Sequence, residues 1–274
     1  MTGEKDSSRH PFYITVKGCR LAAEVIKPVG FSPDNRLPTL LFLHEGLGSI
    51  GQWKDFPLVL SKAAHLQALI YDRRGHGKSD PLGGKREVNY LHEEALEYLP
   101  QVMKEMGIKK AILVGHSDGG SIALIYAATH PGNVLGVITE AAHVFVEDIT
   151  LRGIRKAVRV YETSDLRERL ARYHGNNTDR VFRGWADTWL APEFRNWNIV
   201  EYLKKVTAPV LAIQGFDDEY GTPAQVQTIV QKVSGRAEGK VIFDCGHTPH
   251  DQARERVLSE MSRFVASLVK RKIR

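Results

Sequence analysis

The stretch Val114-Gly115-His116-Ser117-Asp118-Gly119-Gly120 constrains this chain more than any other. It follows an apolar run, Ala111-Ile112-Leu113-Val114, long enough for a buried strand. It opens a small-residue segment, Ser121-Ile122-Ala123-Leu124-Ile125-Tyr126-Ala127-Ala128, that reads as a helix with an apolar face. A serine lifted clear of a sheet edge needs a turn so tight that neighbouring side chains would clash, so glycines flank it. The helix that follows aims free N–H groups and its positive end at the place where an oxyanion would form. Strand, glycine-flanked serine and helix, in that order, make Ser117 a candidate nucleophile. The alternative is a structural turn serine at a strand-to-helix junction.

The rest of the chain supplies the sheet around that turn. Residues 12 to 26 alternate about Gly18 and predict an antiparallel hairpin at one edge. Pro28 to Pro38 reads as loop. Thr39-Leu40-Leu41-Phe42-Leu43-His44 is apolar without alternation, as parallel strands covered on both faces are. It runs into the loop Glu45-Gly46-Leu47-Gly48-Ser49. A helix from about Trp53 to Ala64, a strand Ala68-Leu69-Ile70-Tyr71 and a glycine-rich turn follow. Residues 89 to 106 predict one amphipathic helix in which Pro100 marks a start or a kink.

Another buried strand is expected from Val134 to Thr139. Residues 144–205 then lack a strand pattern and carry helical, charged segments with Trp185, Trp189 and Trp197. This reads as a helical insertion between two parts of one core, 1–143 and 206–274. The alternation resumes with strand 209–214, helix 224–233, strand 240–243 and a final helix 252–270. Strands alternating with helices predict an α/β fold, a mostly parallel sheet with helices on both faces.

A serine alone is a poor nucleophile; it needs a base, and the base needs an orienting acid. The last strand leads into Asp244-Cys245-Gly246-His247, and the strand before it ends in Gly215-Phe216-Asp217-Asp218. The carboxyl ends of parallel strands are where sites are built, so His247 and an acid at 217 or 218 join Ser117. Glu140, ending the strand before the insertion, is a rival acid. His250, beyond Pro249 and entering a helix, is expected to cap the helix or lie on the surface.

Together these motifs resemble the α/β-hydrolase family over essentially the whole chain. The carriers are His44-Glu45-Gly46-Leu47-Gly48, Tyr71-Asp72-Arg73-Arg74-Gly75-His76-Gly77-Lys78-Ser79, Gly115-His116-Ser117-Asp118-Gly119-Gly120, Gly215-Phe216-Asp217-Asp218 and Gly246-His247. The resemblance implies a Ser117–His247–Asp218 triad, its G-x-x-D spacing favouring Asp218 over Asp217, and makes the insertion a cap over the site. It implies an oxyanion hole from the backbone N–H groups of Gly46 and Asp118, and structural roles for His44 and His76. The family commonly has glycine where Glu45 stands, and glutamate adopts φ > 0 poorly, so Gly46 and Leu47 compete for the first donor.

Asp118 is unusual beside a developing oxyanion, and a buried aspartate must be paired. Ser117-Asp118-Gly119-Gly120 resembles the biphenyl-hydrolase-like subgroup of amino-acid-ester hydrolases, as does the spacing Tyr173…Phe182…Trp185. There the acid recognises a substrate α-amino group; a salt bridge to a protein cation is the other reading. His143 and Trp185 are candidate pocket residues. The expected activity is cleavage of a small carboxylic ester, including an α-amino ester, through an acyl-enzyme. A carbon–carbon bond hydrolase of the ring-cleavage type is the alternative, and a non-catalytic ligand-binding protein on the same fold the alternative from another class.

Composition closes off other classes. A net charge of +6 arises partly from the tail Lys270-Arg271-Lys272-Arg274, which favours its own helix dipole, and no basic–aromatic interleaving suggests nucleic acid. No run of 18 apolar residues occurs and the polar start lacks a signal core, so no membrane partner and a cytoplasmic location are expected. Cys19 and Cys245 are expected to be small buried hydrophobes rather than metal ligands, and no cofactor is implied. The partner is a small-molecule ester, the working unit a monomer or homodimer.

Overall fold

Apolar runs without alternation need cover on both faces, and the chain provides it with an eight-stranded sheet between two helical layers. The computed structural model describes residues 8–31 and 37–273. The polar first seven residues, part of the loop expected between Pro28 and Pro38, and Arg274 lie outside the described residues. So do the side chains of the basic tail beyond Lys270. The strands are β1 (Ser8–Val16), β2 (Cys19–Lys27), β3 (Thr39–Leu43), β4 (Ala68–Tyr71), β5 (Ala111–His116), β6 (Val134–Glu140), β7 (Val210–Gly215) and β8 (Ala237–Ile242). Their order is β1-β2-β4-β3-β5-β6-β7-β8. The hairpin β1–β2 and the β2–β4 pair are antiparallel; every other pair is parallel. The hairpin turns on Lys17 and Gly18, both at positive φ (51° and 77°), the geometry that matches strand twist.

The helices are α1 (Phe56–Ala64), α2 (Tyr90–Glu93), α3 (Leu99–Glu105), α4 (Asp118–Thr129), α5 (Asp148–Thr163), α6 (Leu166–His174), α7 (Thr178–Leu190), α8 (Val200–Leu203), α9 (Ala224–Lys232), α10 (Pro249–Gln252) and α11 (Arg254–Ile273). Successive β5 side chains enter different cores. Ile112 and Val114 pack with Phe56, Leu60 and Phe264 of α1 and α11, while Leu113 packs with Leu99, Ile122 and Ile125 beneath α3 and α4. Four helices, α5 to α8, lie between β6 and β7, where no strand of the main sheet intervenes. Trp189, Phe194 and Trp197 form an aromatic cluster there, with Phe194 stacked on Trp197 at 5.4 Å.

Several local expectations need correction. The helix expected over 89–106 is α2, one π turn (Glu94–Tyr98) and α3. Pro100 has no N–H for the Leu96 carbonyl and its ring crowds that group, so the preceding turn widens instead of the helix stopping. The first helix begins as a 3-10 turn (Ile50–Trp53) before α1, and the last is broken at Ala253 into α10 and α11. Cys245 is buried but Cys19, on the hairpin, is half-buried; both thiols are free.

Candidate active site

Ser117 sits at φ 51°, ψ −115°, between the end of β5 and the start of α4. A non-glycine residue there is strained, and the surroundings hold it. Its N–H donates to the Glu140 carbonyl (2.8 Å), and its own carbonyl accepts from Gly120 and Ser121. The flanking glycines are required by space. A Cβ on Gly115 would stand 2.2 Å from the Gly119 carbonyl oxygen, and one on Gly119 would stand 2.0 Å from that of Leu43.

The loops after β7 and β8 bring the other two candidates to this point. His247 Nε2 lies 3.0 Å from Ser117 Oγ, and its Nδ1 lies 2.8 and 2.9 Å from the two Asp218 oxygens. Nδ1 therefore donates to the carboxylate, leaving Nε2 to accept the serine proton. Asp218 is itself fixed, accepting from Gln214 Nε2 (2.6 Å) and the Tyr220 N–H (2.8 Å). Burial would raise the Asp218 pKa, but the His247 ring outweighs it and holds the carboxyl below its usual range. Burial would likewise lower the His247 pKa, but Asp218 outweighs it and keeps it above the ordinary imidazole value. Asp217 is exposed, and Glu140 is engaged elsewhere.

His250 is not a surface or capping residue, as its sequence position suggested. It is buried, and its Nδ1 donates to Glu140 Oε2 at 2.5 Å. Between the two histidine–carboxylate pairs stands His116, its ring 5.2 Å from each histidine. Burial, with His250 and His247 close by, keeps His116 neutral. Its Nε2–H donates to the His247 carbonyl (2.7 Å), and Gln252 Oε1 accepts from the Gly246 and Thr248 N–H groups. The segment carrying the base is thus held from three sides.

The loop after β3 completes the floor. Glu45 and Gly46 both lie outside the positive-φ residues, so the loop does not need glycine at position 45. Gly46 is required by space, since a Cβ would meet Trp185 Cδ1 at 2.4 Å. His44 Nε2 accepts the Arg73 N–H (2.9 Å), so its Nδ1–H donates to the Glu45 carbonyl (2.8 Å). Arg73, with a fully buried side chain, donates to the same carbonyl (2.8 Å). His76 is buried with Nε2 3.1 Å from the Gly46 carbonyl. Both histidines therefore shape the loop. The Asp118 N–H is one of the free donors in the first turn of α4, directly after the serine.

Of the two readings of Asp118, substrate amine or protein cation, the structure supplies a partner for the second. The carboxylate is 1 % exposed, accepts from the Tyr90 hydroxyl (2.6 Å) and stands 3.6 Å from the Arg73 guanidinium. Tyr90 in turn accepts from Trp189 Nε1 (2.8 Å), tying α2 to α7. The protein cation is thus on the page, and sequence reasoning missed it because Arg73 lies 45 residues earlier in what reads as a turn. Removing the carboxylate strands a buried guanidinium. Asp118→Ala should lower the unfolding free energy by about 3 kcal/mol or more, read by urea denaturation. A change within about 0.5 kcal/mol would make the carboxylate dispensable to the fold.

A cavity of about 220 Å³ opens over Ser117 and His247. His143 and Trp185 line it, with Trp189, Tyr220, Ile154, Leu47, Glu45 and Glu219. His143 Nε2–H donates to the Tyr220 carbonyl (3.0 Å), and burial pushes the ring's pKa below the ordinary imidazole value. Trp197 packs against Trp189 rather than the cavity. Among the described residues no group of His, Cys, Asp or Glu could hold a metal ion, and no helix is long and apolar enough to cross a membrane.

A family described as alpha/beta hydrolase fold matches residues 38–201. The chain is 33% identical over 120 residues to 2-succinyl-6-hydroxy-2,4-cyclohexadiene-1-carboxylate synthase of Enterobacter sp. (strain 638), a match spanning 43% of each chain. It is 22% identical to proline iminopeptidase of Lactobacillus delbrueckii subsp. bulgaricus, over 91% of this chain and 94% of that one. Among solved structures, 2-hydroxy-6-oxo-6-phenylhexa-2,4-dienoate hydrolase from a Rhodococcus species superposes with a TM-score of 0.77 at 16% identity, covering 94% of this chain and 99% of that chain. With its strained serine turn, its mostly parallel eight-stranded sheet and a family match across more than half its length, the chain belongs to the alpha/beta hydrolase fold family and is a hydrolase.

Proposed function

We propose that this hydrolase cleaves small carboxylic esters through a Ser117–His247–Asp218 triad and an acyl-enzyme. The observation that carries the reading is the unbroken line from Ser117 Oγ to His247 Nε2 (3.0 Å) and from His247 Nδ1 to Asp218 (2.8 Å). Ser117 Oγ attacks the ester carbonyl carbon as its proton passes to His247 Nε2. The carbonyl oxygen becomes an oxyanion facing the N–H groups of Gly46 and Asp118. As the carbon–oxygen bond breaks, the imidazolium returns the proton to the leaving alcohol. Water, activated by the same imidazole, then releases the acid and frees the serine. Asp218 keeps Nδ1 protonated and steadies the positive ring.

Residues 144–205 serve in this reading as a cap over a core of 1–143 and 206–274, with His143 and Trp185 touching substrate. The partner is a small-molecule ester, the working unit a monomer or homodimer, and the free thiols suit a reducing cytoplasm. The test combines a fluorophosphonate probe with aryl and alkyl ester hydrolysis. Stoichiometric labelling at Ser117 with ester turnover is expected. Labelling without turnover of any ester would move the reaction to another bond, the carbon–carbon cleavage of ring-fission products first. A folded protein inert to the probe would favour a binding role.

A further inference from the structure

The mechanism above leaves two cavity carboxylates without a task, Glu45 and the exposed Glu219, and Glu45 is the one in the oxyanion loop. Glu45 stands directly before Gly46, a proposed oxyanion donor, and its side chain lines the cavity shared by Ser117 and His247. One carboxylate oxygen, Oε2, is fixed by the Leu47 N–H at 2.7 Å. Burial pushes the carboxyl pKa up, with His247 among the groups that oppose the shift. No lysine or arginine lines this cavity among the described residues. The nearby buried cation, Arg73, is held by Asp118 and by the carbonyl of Glu45 itself.

A carboxylate there is a burden on a neutral substrate, because the transition state places a second negative charge close by. A positive charge on the substrate reverses the sign. It would neutralise Glu45, stabilise the oxyanion through space and escape its hydration shell against aromatic faces. Such faces are present: Trp185, Trp189 and Tyr220 line the same cavity, with Tyr220 4.7 Å from the His247 ring. We propose that Glu45 is a specificity-determining residue, and that the preferred ester carries a positively charged nitrogen seated between the Glu45 carboxylate and this aromatic wall. The inference rests on the ester-hydrolase reading and narrows its substrate class.

Two substrate pairs test it, one for each side of the ester bond. An amino-acid benzyl ester is compared with the same ester lacking the α-amino group, and a choline ester with its carbon isostere. In at least one pair kcat/KM should favour the charged ester by about tenfold or more, close to 1.4 kcal/mol. Glu45→Gln keeps the volume and an oxygen for the Leu47 N–H. It should erase that preference, mainly through KM, and raise kcat/KM for the neutral partner. Stoichiometric fluorophosphonate labelling of the variant at Ser117, with an unchanged thermal unfolding midpoint, would establish that its fold and serine are intact. Equal rates within both pairs, or a preference that survives Glu45→Gln, would overturn the assignment of Glu45 while neutral-ester turnover left the hydrolase reading standing. Failure of every ester would remove both.

Discussion

Ser117→Ala should lower kcat for ester cleavage by about 10⁶-fold and leave thermal unfolding almost unchanged. No other side chain can take its place. His247 Nε2 stands 3.0 Å from Ser117 Oγ, and the turn that lifts this oxygen uses a backbone conformation (φ 51°) closed to most side chains. Alanine occupies that conformation no worse than serine, so the loss belongs to the chemistry rather than the fold. What remains is the polarising effect of the Gly46 and Asp118 N–H groups on a bound carbonyl. Kinetics on the purified variant, with fluorophosphonate labelling as control, decide the matter. A residual rate within tenfold of the parent would mean that the hydroxyl does not form the acyl-enzyme.

Asp218→Asn should cost about 10⁴ in kcat, because the amide stabilises the wrong imidazole tautomer. It should also change the pH profile in a definite direction. Only neutral His247 accepts the serine proton, so kcat/KM climbs as pH rises through the His247 pKa and is flat above it. Asp218 holds that pKa above the ordinary imidazole value, against the opposing pull of burial. Removing the charge lets burial dominate, so the inflection moves to lower pH while the plateau falls. An inflection that stays in place would show that the carboxylate acts by geometry alone. A loss at Glu140→Gln as large as at Asp218→Asn would reassign the acid.

How far these residues could be read from sequence depends on whether their partners are local. The serine turn was legible because strand, glycine spacing and helix fall within a short window and each has its own physical signature. The parallel sheet was legible from the uninterrupted apolar runs at 39–43 and 111–114. The meeting of Asp218 and His247 beside Ser117 was legible through topology, which delivers the ends of β7 and β8 to one edge. The pairing of His250 with Glu140 spans 110 positions and leaves no periodic trace, so a buried dyad read as a surface histidine. The same holds for Arg73, whose partner Asp118 drew attention while the arginine passed as part of a turn. Glu45 was visible as a departure from a glycine pattern, but its negative φ and its cavity-facing side chain required coordinates.

The buried Glu140–His250 pair also matters for spectroscopy of this enzyme. Strongly deshielded imidazole protons are commonly assigned to the histidine that serves the nucleophile. Here two Nδ1 protons are shared with carboxylates, and the shorter contact, 2.5 Å against 2.8 Å, belongs to the histidine that does not touch the serine. The lowest-field proton resonance should therefore come from His250, with a second, less shifted line from His247. Following the more extreme signal would therefore report on the Glu140–His250 pair rather than on the histidine beside the serine. Spectra of a His250 variant are needed before either line is used to follow the reaction.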